Sequence, residues 1–252
     1  MLTSVFGAAV YRTLQIEDVD AALRLSNAAG WNQTAADWQR MLLLEPDGCF
    51  AIDCEGRLAA TATCIRYGED IAWIGMVLTD PPFQRRGFAR TLVKAALKHA
   101  SGVRSVMLDA SDEGRPLYLS LGFRDDQPVE RWHREAPAGR ALPLDREAFG
   151  ADRSHVLRAL STGNCRPGTR ARYLGPCIAP DAEIARFIIA NCLATATSEP
   201  WFWDLLPRNV LAVNLARELG FTPVRRLTRM IFGEAPQRRD EWVYAIAGFE
   251  FG

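Results

Sequence analysis

The chain has 252 residues, 48% hydrophobic and 24% charged, enough to bury the core of one large or two small domains. Lysine plus arginine equals aspartate plus glutamate at 30 each, so the basic excess of a sequence-independent nucleic-acid binder is missing. The 6 cysteines form no CxxC pair, there are 3 histidines, and no apolar run approaches the roughly 20 residues of a membrane span, so a zinc site, a disulfide framework and a membrane anchor are not expected.

The start, residues 1–10, lacks the basic segment of a signal peptide and reads as a first strand, which points to a cytoplasmic protein with reduced thiols. Residues 17–28 carry Val19 and Leu23 at helical spacing after an acidic start. The segment Ala29-Gly30-Trp31-Asn32-Gln33 breaks that helix, and Thr34, three residues before Asp37, reads as the N-cap of a second one ending near Leu44. Residues 49–53 and 58–67 are β-rich runs joined by the hairpin signal Glu55-Gly56-Arg57. A more apolar strand at 71–78 belongs in the centre of a sheet. A glycine-bearing turn leads to a helix at 87–100 whose stripe is Leu92, Val93, Ala96 and Leu97. A strand at 103–108, a short helix at 116–121 and a strand from Phe123 follow. At 135–142 the composition turns to Ala, Pro, Gly and Arg, a linker signal dividing the chain into units at 1–136 and 137–252.

The second unit echoes the first. The stretch Ser111 to Phe123 aligns without gaps to Asn209 to Phe221, and both end in Leu-Gly-Phe, a helix closed by a left-handed glycine before a strand. The similar placement near the end of each half favours a duplication.

The stretch most telling for chemistry is Val77-Leu-Thr-Asp-Pro-Pro-Phe-Gln84-Arg85-Arg86-Gly87-Phe88-Ala89-Arg90. A buried strand runs through a tight turn into a helix. Small residues at 87 and 89 allow close approach, and the free N–H groups of the helix start, with Arg85, Arg86 and Arg90, suit an anion. A plain crossover with solvated arginines has the same pattern. Neither a Walker loop nor a three-glycine dinucleotide fingerprint is present.

Gln84-Arg85-Arg86-Gly87-Phe88-Ala89 resembles the Q/R-x-x-G-x-G/A motif of the GNAT acetyltransferases. Leu117-Tyr118-Leu-Ser-Leu-Gly122-Phe123 is similar to a second hallmark of that family, a helix with Tyr four residues before Gly-Phe. The two together cover roughly residues 11–132. Segments at 144–153, 174–176 and 227–230 resemble the C-terminal part of a two-unit subgroup. The resemblance implies an α/β (α+β) GNAT fold, a mixed, mostly antiparallel sheet flanked by helices, followed by a second, shorter unit. It implies acetyl-coenzyme A as cosubstrate, no metal, and direct acetyl transfer to a primary amine of a small molecule or to an exposed amino group. A homodimer remains open.

Residue by residue, the resemblance makes Val77, Leu78 and Thr79 the strand end that pairs with pantetheine. The pyrophosphate falls to the amides of Arg85, Arg86, Gly87, Phe88, Ala89 and Arg90. Ser111 stands where the family often has an Asn on the pantetheine arm. Tyr118 falls on the general acid that protonates the departing thiolate, the alternative being a packed ring. Where some relatives carry a glutamate base this chain has Val106, which leaves Glu69, Asp70, Asp109 or a water chain.

No glycine occurs between Pro180 and Leu219, Ala216 aligns with Tyr118, and the second unit is short between Ser161 and Arg172, so one active site per chain is expected. The second unit is then expected to close the acceptor pocket, with Trp31 and Asn32 facing Trp201, Trp203 and Asp204. Aromatic walls with a carboxylate suit a cationic amine, although tryptophans of this kind also serve as core. An aminoacyl-tRNA-dependent transferase and a non-catalytic acetyl-coenzyme A sensor are the competing functions.

Overall fold

The computed structural model describes residues 9–135, 150, 165–193 and 199–252. The linker expected at 135–142 and the segments quoted at 144–153 and 161–164 lie outside them, apart from residues 135 and 150, as does most of the strand expected at 1–10.

Strand β1 (Val10–Thr13) precedes a 3-10 turn (Ile16–Asp18), α1 (Val19–Ala28) and α2 (Ala35–Leu44). Thr34 Oγ1 accepts from the Asp37 N–H at 3.2 Å and the Thr34 N–H donates to the Asp37 carboxylate at 2.8 Å, a capping box that fixes where α2 begins. Strands β2 (Cys49–Cys54) and β3 (Arg57–Tyr67) turn at Glu55 and Gly56, whose φ angles of 54° and 77° are those of a type I′ hairpin. Next come β4 (Ile71–Thr79), α3 (Phe88–His99), β5 (Ser105–Ala110), α4 (Arg115–Leu119) and β6 (Arg124–Glu135). The second half contributes β7 (Cys165–Arg166), β8 (Arg172–Leu174), β9 (Cys177–Ile178), α5 (Ala182–Leu193), β10 (Pro200–Leu205), α6 (Val210–Glu218), β11 (Thr222–Gly233) and β12 (Val243–Ala245).

Among the described residues one 10-stranded sheet runs β1-β2-β3-β4-β5-β11-β6-β10-β8-β7. The halves exchange strands: β11 lies between β5 and β6, antiparallel to both, and β6 continues onto β10. The sheet therefore crosses the expected unit boundary without a break. Its parallel pairs are β4 with β5 in the first half and β8 with β10 in the second, equivalent places in the two units.

The repeat read from sequence is a structural one. Gly122 and Gly220 take φ of 95° and 79°, and the N–H groups of Phe123 and Phe221 donate to the carbonyls of Tyr118 and Ala216 at 3.1 and 2.9 Å, the six-to-one bond of a Schellman cap. At the other end, Ser111 Oγ accepts from the Gly114 N–H at 3.2 Å as the Asn209 side chain accepts from Ala212 at 3.1 Å.

Helices α1 and α2 cover one face of the sheet with Trp38 and Met41, packed on Trp73, Met107 and Phe251. The other face is covered by α3 and α4 through Leu92, Val93 and Tyr118, with Phe83 and Phe88. Those two layers define the approaches to the site.

Candidate active site

Strands β4 and β5 pair at only three positions, Ile71 with Ser105, Ala72 with Val106 and Trp73 with Met107, although both run on to Thr79 and Ala110. Beyond Trp73 they separate. Met76 takes a φ of 49°, the β3–β4 register shifts between Thr61 and Thr63, and the Thr61 hydroxyl donates to the Met76 carbonyl at 2.9 Å, a β-bulge that turns β4 away from its neighbour. Behind it lies residue Glu250: a Cβ on Gly75 would stand 2.9 Å from the Glu250 carbonyl oxygen. The segment is pinned there because Trp73 Nε1 and the Tyr67 hydroxyl donate to the carbonyls of Phe249 and Phe251 at 2.9 and 2.8 Å.

The opened strands border a cavity of about 760 Å³. Its wall on the α3/α4 face includes Phe83, Phe88, Leu117 and Tyr118, and on the α1/α2 face Trp31, Gln33 and Glu250. The cavity therefore passes through the sheet at the β4/β5 gap.

At the α3 end, Arg85 and Gly87 take φ of 61° and 84°. The first backbone amide to find a main-chain acceptor after Gln84 is Thr91, onto Gly87. Six consecutive N–H groups, 85 to 90, thus have no main-chain acceptor among the described residues, the arrangement that binds oxyanions. A Cβ on Gly87 would meet nothing within 4 Å, so it is the left-handed φ that selects glycine here. Arg85 and Arg90 line the cavity, and Arg90 donates to the Ser120 hydroxyl at 2.8 Å. The matching place before α5 has no such cradle: Asp181 caps that helix, its carboxylate accepting from the Ile184 N–H at 2.9 Å. The protein's own anion fills that helix start.

Of the residues expected at the cosubstrate, Val77, Thr79, Arg85, Gly87, Phe88, Ala89, Arg90 and Ser111 line the cavity. Leu78 instead packs into the core beneath α1 and α2, because alternation along β4 turns it to that face. Arg86 turns outward, pairing with Glu55 at 2.9 Å and lying over Phe83. Tyr118 is 8% exposed, stands edge-on to Phe123 and has no hydrogen-bond partner for its hydroxyl among the described residues. Burial raises its pKa, so the phenol keeps its proton across the neutral range.

Of the residues expected around the acceptor, Trp31 is on the cavity wall. Asn32 is not: its side chain accepts from the N–H groups of Arg170 and Ala171 and donates to the Ala171 carbonyl, clasping a loop of the second half. Trp203 is core, with Nε1 donating to the Tyr244 carbonyl at 2.7 Å, and Trp201 is likewise fully buried. Asp204 is committed to Arg131, opposite it on β6, through both oxygens. Of the base candidates, Asp109 reaches the cavity but grips Arg229 with both oxygens at 2.8 and 2.9 Å. Asp70 pairs with Arg104 at the surface, and Glu69 is exposed in the β3–β4 turn.

Among the wall residues that sequence reasoning missed are the polar Gln33, Arg131, Arg225 and Glu250. Glu250 is 2% exposed; Oε1 accepts from Arg166 at 2.5 Å, whereas Oε2 has no partner among the described residues. Burial holds its pKa above the usual carboxylate range, and Arg166, which also faces Asp37, offsets this only in part. Gln33 donates to the Tyr173 hydroxyl, and its Oε1 is a second buried acceptor without a donor. A glycine inside an apolar strand marks close approach of another backbone, so Gly75 was the available signal for the Glu250 segment.

Two family models match the chain: "Acetyltransferase (GNAT) family" over residues 16–123 and "Acetyltransferase (GNAT) domain" over 161–245. The uncharacterized N-acetyltransferase YitH of Bacillus subtilis is 27% identical over 246 residues, covering 82% of this chain and 86% of its own length. The holothin acyltransferase of Pseudoalteromonas is 22% identical, covering 89% and 88%. A crystal structure from Pyrococcus horikoshii, assigned as an acetyltransferase, superposes with a TM-score of 0.86 at 20% identity over 100% of this chain and 99% of its own, which establishes a shared fold.

Proposed function

The chain belongs to the GNAT acetyltransferase family and is an acyltransferase, and from that premise we propose that it moves the acetyl group of acetyl-coenzyme A directly onto a primary amine. One observation carries the reading. A single cavity is lined by the turn that carries the free amides at 85–90, by the bulged edge of β4, by Tyr118, and by Gln33 and Glu250, each of which has a buried oxygen without a partner among the described residues.

The residues present fit the cosubstrate. The amides of the turn, with Arg85 and Arg90, would take the diphosphate, and the open edge of β4 at Val77 and Thr79 would take the amide groups of the pantetheine arm as an added strand does. Acetyl-coenzyme A supplies an activated carbonyl with a thiol leaving group. The chain supplies the proton traffic. An ammonium must be deprotonated before it attacks, since a model alkylammonium has a pKa of about 10.4. Glu250 Oε2 is the carboxylate oxygen free to receive that proton, and Gln33 Oε1 can hold the remaining N–H. As the carbon–nitrogen bond forms, a main-chain N–H near Val77, at the opened end of β4, would stabilise the oxyanion. As the carbon–sulfur bond breaks, Tyr118 gives its proton to sulfur.

The competing sensor reading predicts binding without turnover. Thiol release from acetyl-coenzyme A across a panel of primary amines, beside thermal shift with coenzyme A, separates the two. Release that requires an amine supports transfer; a thermal shift with no release by any amine contradicts it.

A further inference from the structure

Apart from Arg85 and Arg90 at the turn assigned to the diphosphate, the arginines at and beside the cavity are balanced by carboxylates, with one exception. Arg131 is held by Asp204, Arg229 by Asp109, and Arg166 by Glu250 with Asp37 close by. Arg225 lines the same cavity, yet no ion pair or hydrogen bond reaches its guanidinium among the described residues. It enters on β11 at a register shift after Pro223, opposite Arg131, and its guanidinium lies 5.8 Å from the ring centroid of Trp31. Burial and the neighbouring Arg131 charge depress its pKa from the usual arginine value. A half-buried, charged guanidinium with five donors and no hydrogen-bonded acceptor, with Glu113 on the same cavity wall, is placed to take an anion that enters the cavity.

That anion is not the diphosphate. The cradle at 85–90 follows β4, whereas Arg225 sits two strands away across β5, beside Trp31, which belongs to the α1/α2 layer. Gln33 and Glu250, the two acceptors lacking donors, share that side. The unmet groups are thus complementary: two oxygens want N–H donors and one guanidinium wants a carboxylate.

We propose that the acceptor is an amine that also carries a carboxylate, an amino-acid-type zwitterion, with Arg225 over Trp31 taking the carboxylate while Glu250 and Gln33 face the nitrogen. The proposal rests on the acetyl-transfer reading. In the reaction the amine nitrogen bonds to the acetyl carbon and the carbon–sulfur bond breaks. The ammonium gives one proton to Glu250 before it attacks and loses a second to solvent as the amide forms, while Tyr118 gives its proton to sulfur. Solvent then reprotonates Tyr118 and takes the proton from Glu250, so that one proton is released overall.

The test uses matched probes on the full chain saturated with coenzyme A: glycine, L-leucine, L-phenylalanine and L-glutamate, each against its α-carboxamide. Calorimetric titration is expected to give at least one free acid a Kd ten-fold or more below that of its amide. Arg225→Gln is expected to erase that difference and Arg225→Lys to restore part of it. With acetyl-coenzyme A the same ratio is expected in kcat/KM. Equal binding of acids and amides by the wild type, no binding of any acid, or a difference that survives Arg225→Gln overturns the proposal. Acid-selective binding lost in Arg225→Gln, with no thiol release, keeps the carboxylate site and overturns acetyl transfer instead.

Discussion

Replacing Tyr118 with phenylalanine separates catalysis from folding more sharply than any other single change. The ring is buried on the α3/α4 face and its edge-on contact with Phe123, 5.9 Å between centroids, does not involve the hydroxyl. A protein–protein hydrogen bond is worth about 1 kcal/mol net, and this hydroxyl makes none, so Tm is expected to stay within about 2 °C of wild type. The transition state loses its proton donor to sulfur. General acids contribute about 10²–10⁴-fold, so kcat is expected to fall by at least ten-fold, equivalent to about 1.4 kcal/mol or more of barrier. The assay is thiol release at saturating acetyl-coenzyme A and amine, with calorimetric Tm on the same preparations. Because burial keeps the phenol protonated, the wild-type kcat/KM is also expected to show no alkaline fall below about pH 10. An unchanged kcat with an unchanged Tm refutes the role.

Glu250→Gln is expected to remove the acid limb of kcat/KM. The raised pKa means that the carboxyl holds its proton above the ordinary value of about 4.3, so activity climbs with pH through a midpoint above that value. A limb that persists in the variant assigns the base elsewhere. Asp204→Asn leaves Arg131 buried and unpaired and is expected to cost about 3–5 kcal/mol of stability, read as a lowered denaturation midpoint. A stability loss below 1 kcal/mol, roughly the value of an exposed pair, would contradict its structural role. Gly87→Ala forces alanine to a φ of 84°, a strain of about 1–2 kcal/mol, and is expected to weaken acetyl-coenzyme A binding about ten-fold. Equal Kd values for acetyl-coenzyme A would show that the turn does not depend on the left-handed residue.

What was legible in the sequence was local. The turn at 84–90 and the two Leu-Gly-Phe caps declare themselves because their glycines need a backbone conformation that other residues resist. Thr34 and Asp37 mark the start of α2 for a similar reason, a hydrogen-bond pair that spans three residues. The acceptor side was far less legible, because each of its contacts joins distant segments. Asp204 meets Arg131 across 73 positions, and alternation along β10 cannot say whether that face carries a pocket or a buried ion pair. Glu250 reaches the β4 bulge from the far end of the chain. The exchange that sets β11 between β5 and β6 brings Arg225 to the first half's site, and no periodicity in either half encodes which strand fills that place.

The claim on which the rest depends is that the main-chain hydrogens at 85–90 receive the diphosphate of the cosubstrate. Amide hydrogen exchange of the full chain, with and without saturating coenzyme A, tests it directly. The expected result is strong slowing at 85–90 and at 77–79, with the start of α5 near Asp181 unaffected. Slowing centred on the second half, or none at the turn while coenzyme A is bound, contradicts the account.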